Sequence, residues 1–149
     1  MQLEKVLCPI DFSEGARGAM TVAAQLAKES SATLVLVHAR DMSIWVATNL
    51  MVAPAALQDW IDWSDGELGR WKQQALGMGV REVQVRAETG TPWDRIVAVA
   101  EGDPAIGLIV VGTHGRTGLP RALLGSVAEK VVRHAPCSVM VVRDRAGKR

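Results

Sequence analysis

A chain of 149 residues with 48% hydrophobic and 22% charged residues has the length of one folded domain and ordinary globular composition, which argues against disorder. Its formal net charge of +1 supplies no global attraction to nucleic acid or to an anionic membrane surface. No apolar run approaches the roughly 18 residues of a membrane helix, and Glu4 before a very short apolar run is unlike a secretory leader.

Residues 5–10 (KVLCPI) read as a first strand that ends at Asp11, with Ser13 placed to cap the helix that follows. Along that helix Ala16, Ala19, Met20, Ala23 and Ala27 share one face at helical spacing, and their small size predicts close approach to a sheet. Residues 33–39 (TLVLVHA) form a second apolar strand, followed by an excursion over residues 40–54 with no clear period. A helix over 55–76 fits the stripe Leu57, Trp60, Ile61, Ser64, Leu68, Trp71 and Ala75, and Gly77-Met78-Gly79 ends it. Residues 82–87 (EVQVRA) alternate as a half-exposed edge strand does. Thr91 as N-cap, Pro92 at the first helical position and Asp94 in the first turn open the next helix, whose buried stripe is Trp93, Ile96, Val97 and Ala100.

Residues 106–111 are an apolar, β-branched run of the kind that forms a fully buried strand. A loop with Gly112, Gly115 and Gly118 follows, and a helix starts at Gly125-Ser126 and must end before Pro136. Residues 138–143 (SVMVVR) are the last strand, and the basic residues after it read as a solvated, frayed end. Five alternations of strand and helix predict an α/β fold, a single domain over 1–149 with a largely parallel sheet covered on both faces. Ligands of such sheets sit beyond the carboxyl ends of the strands, where the strand order reverses.

Strand, glycine-rich loop and helix start together make a phosphate cradle. Glycine lets backbone approach an anion, the first amides of a helix lack internal partners, and the helix dipole adds positive potential. The spacing is neither the Lys-Ser/Thr phosphate loop nor G-x-G-x-x-G. It is Gly112-x2-Gly115-x9-Gly125-Ser126, which resembles the ATP-binding motif of the universal stress protein family. The opening KVLCPIDFSE, the strand LVLVHA, the turn TGTPWDRIV and the whole stretch from VVGTHGRTG to SVMVVR resemble the same family, so the likeness covers nearly the entire chain.

That resemblance implies a Rossmann-like sheet of strand order 3-2-1-4-5, with ATP across the switch point between the first and fourth strands, carried with Mg2+ or Mn2+. It puts Pro9, Ile10 and Asp11 beside the adenosine and Ala39, smaller than the Val usual there, in the adenine pocket. Gly112, Gly115, Gly125 and Ser126 would hold ribose and phosphates, flanked by Val111, Arg116 and Val127. Family members pair as homodimers through their last strands, which here means Ser138, Val139, Met140, Val141 and Val142. This apolar edge has no later element to cover it.

Each of these residues also has a plain structural reading. Asp11 either fixes the ribose or a metal or caps a helix start, and Arg116 is either a phosphate neighbour or a solvated loop charge. His114 lies in the loop without a positioned partner, so general-base catalysis is not expected of it. His38 reads as a satisfied core residue, the Trp residues as core packing, and Cys8 and Cys137 as buried, reduced thiols of a cytosolic protein. Three function classes follow: an ATP-binding regulatory module of the stress response, a slow ATPase, and a nucleotide-free dimeric scaffold. The intact glycine motif favours the first, and no catalytic residue is assigned.

Overall fold

The computed structural model describes residues 2–43, 54–113 and 124–143. Among them run β1 (Lys5–Pro9), α1 (Glu14–Ser30), β2 (Thr33–Arg40), α2 (Pro54–Gly77), β3 (Val83–Thr89), α3 (Pro92–Gly102), β4 (Ile106–Gly112), α4 (Ser126–His134) and β5 (Ser138–Val142). All strand pairings are parallel, in the order β3-β2-β1-β4-β5 that the resemblance implies. None of the described helices is long and apolar enough to cross a membrane.

The strands are apolar at successive positions because both faces of the sheet are covered. Val6, Cys8, Leu34, Leu36, Leu108 and Val110 meet the helices α1 and α2 on one face. Leu7, Val35, Val37, Ile109 and Val111 meet α3 and α4 on the other. The alanine stripe of α1 is buried as its spacing predicts, and small side chains let this helix lie close over β1 and β4. Ser13 caps α1 by accepting the Ala16 amide at 3.2 Å, and Ser31 closes it in a left-handed conformation, φ 55°. Gly79, at φ +97°, turns the chain out of α2.

The element boundaries differ from the sequence reading by a residue or two, for reasons that lie in the pairing. β2 extends to Arg40 and β3 to Thr89 because these two residues are register partners. β5 ends at Val142, one residue early. The alternation read in β3 fails at Val85, which is 37% exposed. Cys8 is fully buried, and burial, reinforced by the Asp11 carboxylate, pushes its thiol far above the usual range. Cys137 is only half-buried, contrary to expectation, and burial raises it as well.

One detail of β1 opens the sheet. Lys5 donates to Ala105 on the β4 side, and Ile10 donates to the Val37 carbonyl on the β2 side. Backbone direction alternates along a strand, so position 9 faces β4, and proline has no N–H to offer there. Pairing of β1 with β2 therefore continues through Pro9↔Val37, whereas pairing with β4 stops at Leu7↔Ile109. The strands part at their carboxyl ends, at the switch point.

Candidate functional site

A cleft of about 420 Å³ lies over this parting of β1 and β4. Its floor includes Pro9, Ile10, Val111 and Gly112, one side is the start of α4 at Gly125, Ser126 and Val127, and Asp11 and Ala39 stand at the ends of β1 and β2. Every one of these was singled out in the sequence. Gly115 and Arg116, together with His114 and Gly118, lie outside the described residues.

The α4 side is built to present amides. Thr113 donates its amide to Val142 and accepts from Gly125 at 2.6 Å, which pins the two ends of the loop together. Gly125 is the N-cap residue, with φ −60° and ψ 153°, and as glycine it supplies no side chain to cap the helix. Ser126 is therefore the first helical residue rather than the cap. The first-turn amides of α4 and the positive end of its dipole border the cleft. Gly112 has a packing role beside its place in the motif: a Cβ there would sit 2.8 Å from the Gly15 carbonyl oxygen.

At the end of β1, Asp11 Oδ1 accepts from the Ser13 amide at 3.0 Å and from the Ser13 hydroxyl at 2.5 Å. This turn throws Phe12 into a left-handed conformation, φ 64°, which is uncommon for a bulky residue and typical of strained functional loops. The capping reading of Asp11 thus has a physical basis, and the carboxylate borders the cleft as well. Asp41, at the end of β2, repeats the arrangement: its Oδ1 accepts from the Ser43 amide at 2.9 Å and hydroxyl at 2.5 Å, and it too lines the cleft.

The Phe12 ring enters an aromatic group, 4.5 Å from the His38 ring, 5.5 Å from Trp63 and 5.8 Å from Trp71 (centroid distances). His38 is buried, as expected, with Nδ1 2.8 Å from the Ile10 carbonyl. A carbonyl can only accept, so Nδ1 carries the proton. Trp71 is core, but Trp60 and Trp63 line the cleft, and Trp63 is 49% exposed. The reading of the tryptophans as core packing is wrong for these two. Trp93 is half-buried and stacks on His134, with ring centroids 4.9 Å apart, and Trp45 is outside the described residues.

The sequence reading did not single out Trp60, Trp63, Asp41 or Thr113 for the cleft. One signal was available for Asp41: Asp41-Met42-Ser43 after β2 matches Asp11-Phe12-Ser13 after β1. No group of three His, Cys, Asp or Glu side chains is arranged to hold a metal among the described residues.

Comparison with known proteins bears on the whole chain. The profile of the universal stress protein family matches residues 2–143. A putative universal stress protein of Staphylococcus saprophyticus is 33% identical over 140 residues, 94% of this chain and 83% of its own. Among solved structures, universal stress protein UspA from Lactobacillus plantarum is similar at TM-score 0.81 and 27% identity, over 96% of this chain and 99% of its own. A universal stress protein in complex with cAMP has TM-score 0.70 at 24% identity, covering 96% and 98%. One from Archaeoglobus fulgidus in complex with dAMP has TM-score 0.67 at 20% identity, covering 95% and 98%. At those last two identities the likeness is one of fold.

Proposed function

The chain belongs to the universal stress protein family, and from that premise we propose that it is a regulatory module whose switch is occupancy of the cleft by ATP. The observation that carries this reading is the start of α4: a helix N-terminus whose N-cap is a glycine, set beside a cleft at the switch point of a parallel sheet. Phosphate is the natural occupant of such a place, because unpaired amides and the dipole both favour negative charge. Gly125, Ser126 and Val127 would meet the phosphates, with Gly112, Gly115 and Arg116 completing the cradle on the motif's spacing. Asp11, Pro9 and Ile10 would border the ribose, and Ala39 the base. The cAMP and dAMP complexes of proteins with this fold support an adenine nucleotide as the ligand class.

Mg2+ or Mn2+ would arrive on the phosphate oxygens, where it offsets their charge, with Asp11 the carboxylate at hand. Binding rather than turnover is the proposed activity. Both described carboxylates of the cleft, Asp11 and Asp41, accept hydrogen bonds from their own serines, and neither is set up as a base. The reading extends to a homodimer formed through β5, whose edge pairs with no further described strand, and to a cytosolic setting. Mass spectrometry of nucleotide released from purified protein, followed by calorimetric titration with ATP and Mg2+, tests the core of it. Saturable one-site ATP binding is the expected result; protein that carries no nucleotide and takes up none would leave the dimeric scaffold as the function.

A further inference from the structure

Trp63 is an oddity by ordinary folding physics. It is a large aromatic side chain left 49% exposed, on a helix whose other buried residues, Ser64, Leu68, Trp71 and Ala75, all face the sheet. Isolated exposed side chains need no explanation, but an exposed indole that is also positioned does. Trp63 is positioned: the Phe12 ring meets it in a T-shaped contact, 5.5 Å between centroids and 78° between planes. Phe12 is itself fixed by the strained turn at Asp11 and by its tilted contact with His38. The indole thus lines the cleft, as does Trp60 one helical turn earlier.

Resting on the nucleotide reading above, we propose that Trp63 is the base-stacking residue of this cleft, with α2 supplying an exposed aromatic side chain to it. Stacking of a base on an aromatic side chain is worth about 1–3 kcal/mol by alanine substitution, or roughly 5- to 150-fold in affinity. The contribution belongs to the base and is independent of how many phosphates the ligand carries.

The test is calorimetric titration of wild type, Trp63→Ala and Trp63→Phe with ATP, with adenosine and with inorganic tripolyphosphate, after circular dichroism confirms that each is folded. Trp63→Ala should weaken ATP and adenosine by the same factor, about tenfold or more, and leave tripolyphosphate unchanged. Trp63→Phe keeps an aromatic face and should stay within about threefold of wild type. Equal binding of ATP by wild type and Trp63→Ala overturns the stacking role while leaving the nucleotide site intact. A loss that falls on ATP and tripolyphosphate but spares adenosine also overturns it, because the effect then acts at the phosphates. Wild-type protein that binds none of the three overturns the nucleotide reading itself, and the stacking role with it.

Discussion

Replacing Gly112 with alanine isolates what the first glycine of the motif does before any ligand arrives. An added Cβ would lie 2.8 Å from the Gly15 carbonyl oxygen and 3.1 Å from its carbonyl carbon. A carbon in ordinary contact with either atom needs more room, and both belong to backbone at the start of α1 rather than to a flexible side chain. The end of β4 or the first turn of α1 must therefore move by roughly half an ångström, and overpacking of this kind costs about 1–3 kcal/mol. For a chain of this size that lowers the melting temperature by roughly 2–12 °C. Gly18→Ala is the matched control. It makes the same chemical change in the interior of α1, where an added Cβ meets nothing within 4 Å. It should raise stability by about 0.5–1 kcal/mol, because alanine is the better helix former. Both are measured by thermal unfolding without nucleotide, followed by circular dichroism. A Gly112→Ala protein that melts within a degree of wild type would refute the packing account and leave Gly112 to the ligand alone.

Ser126→Ala removes one hydroxyl at the start of α4 but leaves the helix-start amides in place, so ATP binding should weaken by about 1 kcal/mol, roughly fivefold. Calorimetric titration checks it, and a loss beyond a hundredfold would mean that the hydroxyl, not the amides, dominates. For the proposed dimer, Met140→Lys is the cleaner probe. Met140 is 38% exposed on β5, whereas Val141 packs against the core on the α4 side, so a charge at 140 should weaken assembly with little cost to the protomer. Analytical sedimentation reads the outcome, and a wild-type monomer at micromolar concentration would reject the interface. Asp103 accepts from Lys5 Nζ at 2.7 Å, tying the start of β4 to the start of β1, and this bond holds its carboxyl below the ordinary carboxylate range. A depressed folded pKa means that the stabilisation is present above about pH 4 and is lost as pH falls through the folded value. Asp103→Asn should flatten the acid limb of stability measured by urea unfolding, by no more than a few tenths of a kcal/mol because the pair is only partly buried and screened by solvent; an unchanged acid limb would assign that limb to other carboxylates.

The sheet was legible because its strands are covered on both faces, which leaves runs such as LVLVHA and IGLIVV with nowhere else to go. The strand order was not derivable from those runs; it came from the resemblance. In α2 a single stripe carries both Trp71, in the core, and Trp60, in the cleft wall, and periodicity cannot separate them. The physical reason is length. Twenty-four residues of helix extend about 36 Å, whereas the eight residues of β2 extend about 26 Å. The helix follows β2 directly after the excursion, so its first turns stand beyond the carboxyl end of the sheet, where no described strand remains to bury Leu57, Trp60 or Ile61. Phe12 was illegible for a different reason. Its left-handed conformation is imposed by the two bonds from Ser13 to Asp11, and nothing in the identity of phenylalanine signals it.

The two Asp-x-Ser turns give the cleft a polarity that bears on how a ligand lies in it. Asp11 and Asp41 put two carboxylates at the ends of β1 and β2, while the other side is the glycine-capped, electropositive start of α4. A nucleotide laid with its phosphates towards α4 sets negative charge against amides and leaves ribose hydroxyls, which are donors, beside acceptor oxygens. The reverse orientation would press phosphate against two carboxylates, and at an effective dielectric near 20 each contact at about 4 Å costs on the order of 4 kcal/mol. It would also leave the α4 amides facing an uncharged base. For a metal-free nucleotide, a difference of that size favours the orientation with phosphates towards α4. On the nucleotide reading Asp11 would serve twice. Asp11 anchors the turn whose Ser13 caps α1, and in the proposed complex the same bonds would hold its charge at the ribose end of the nucleotide.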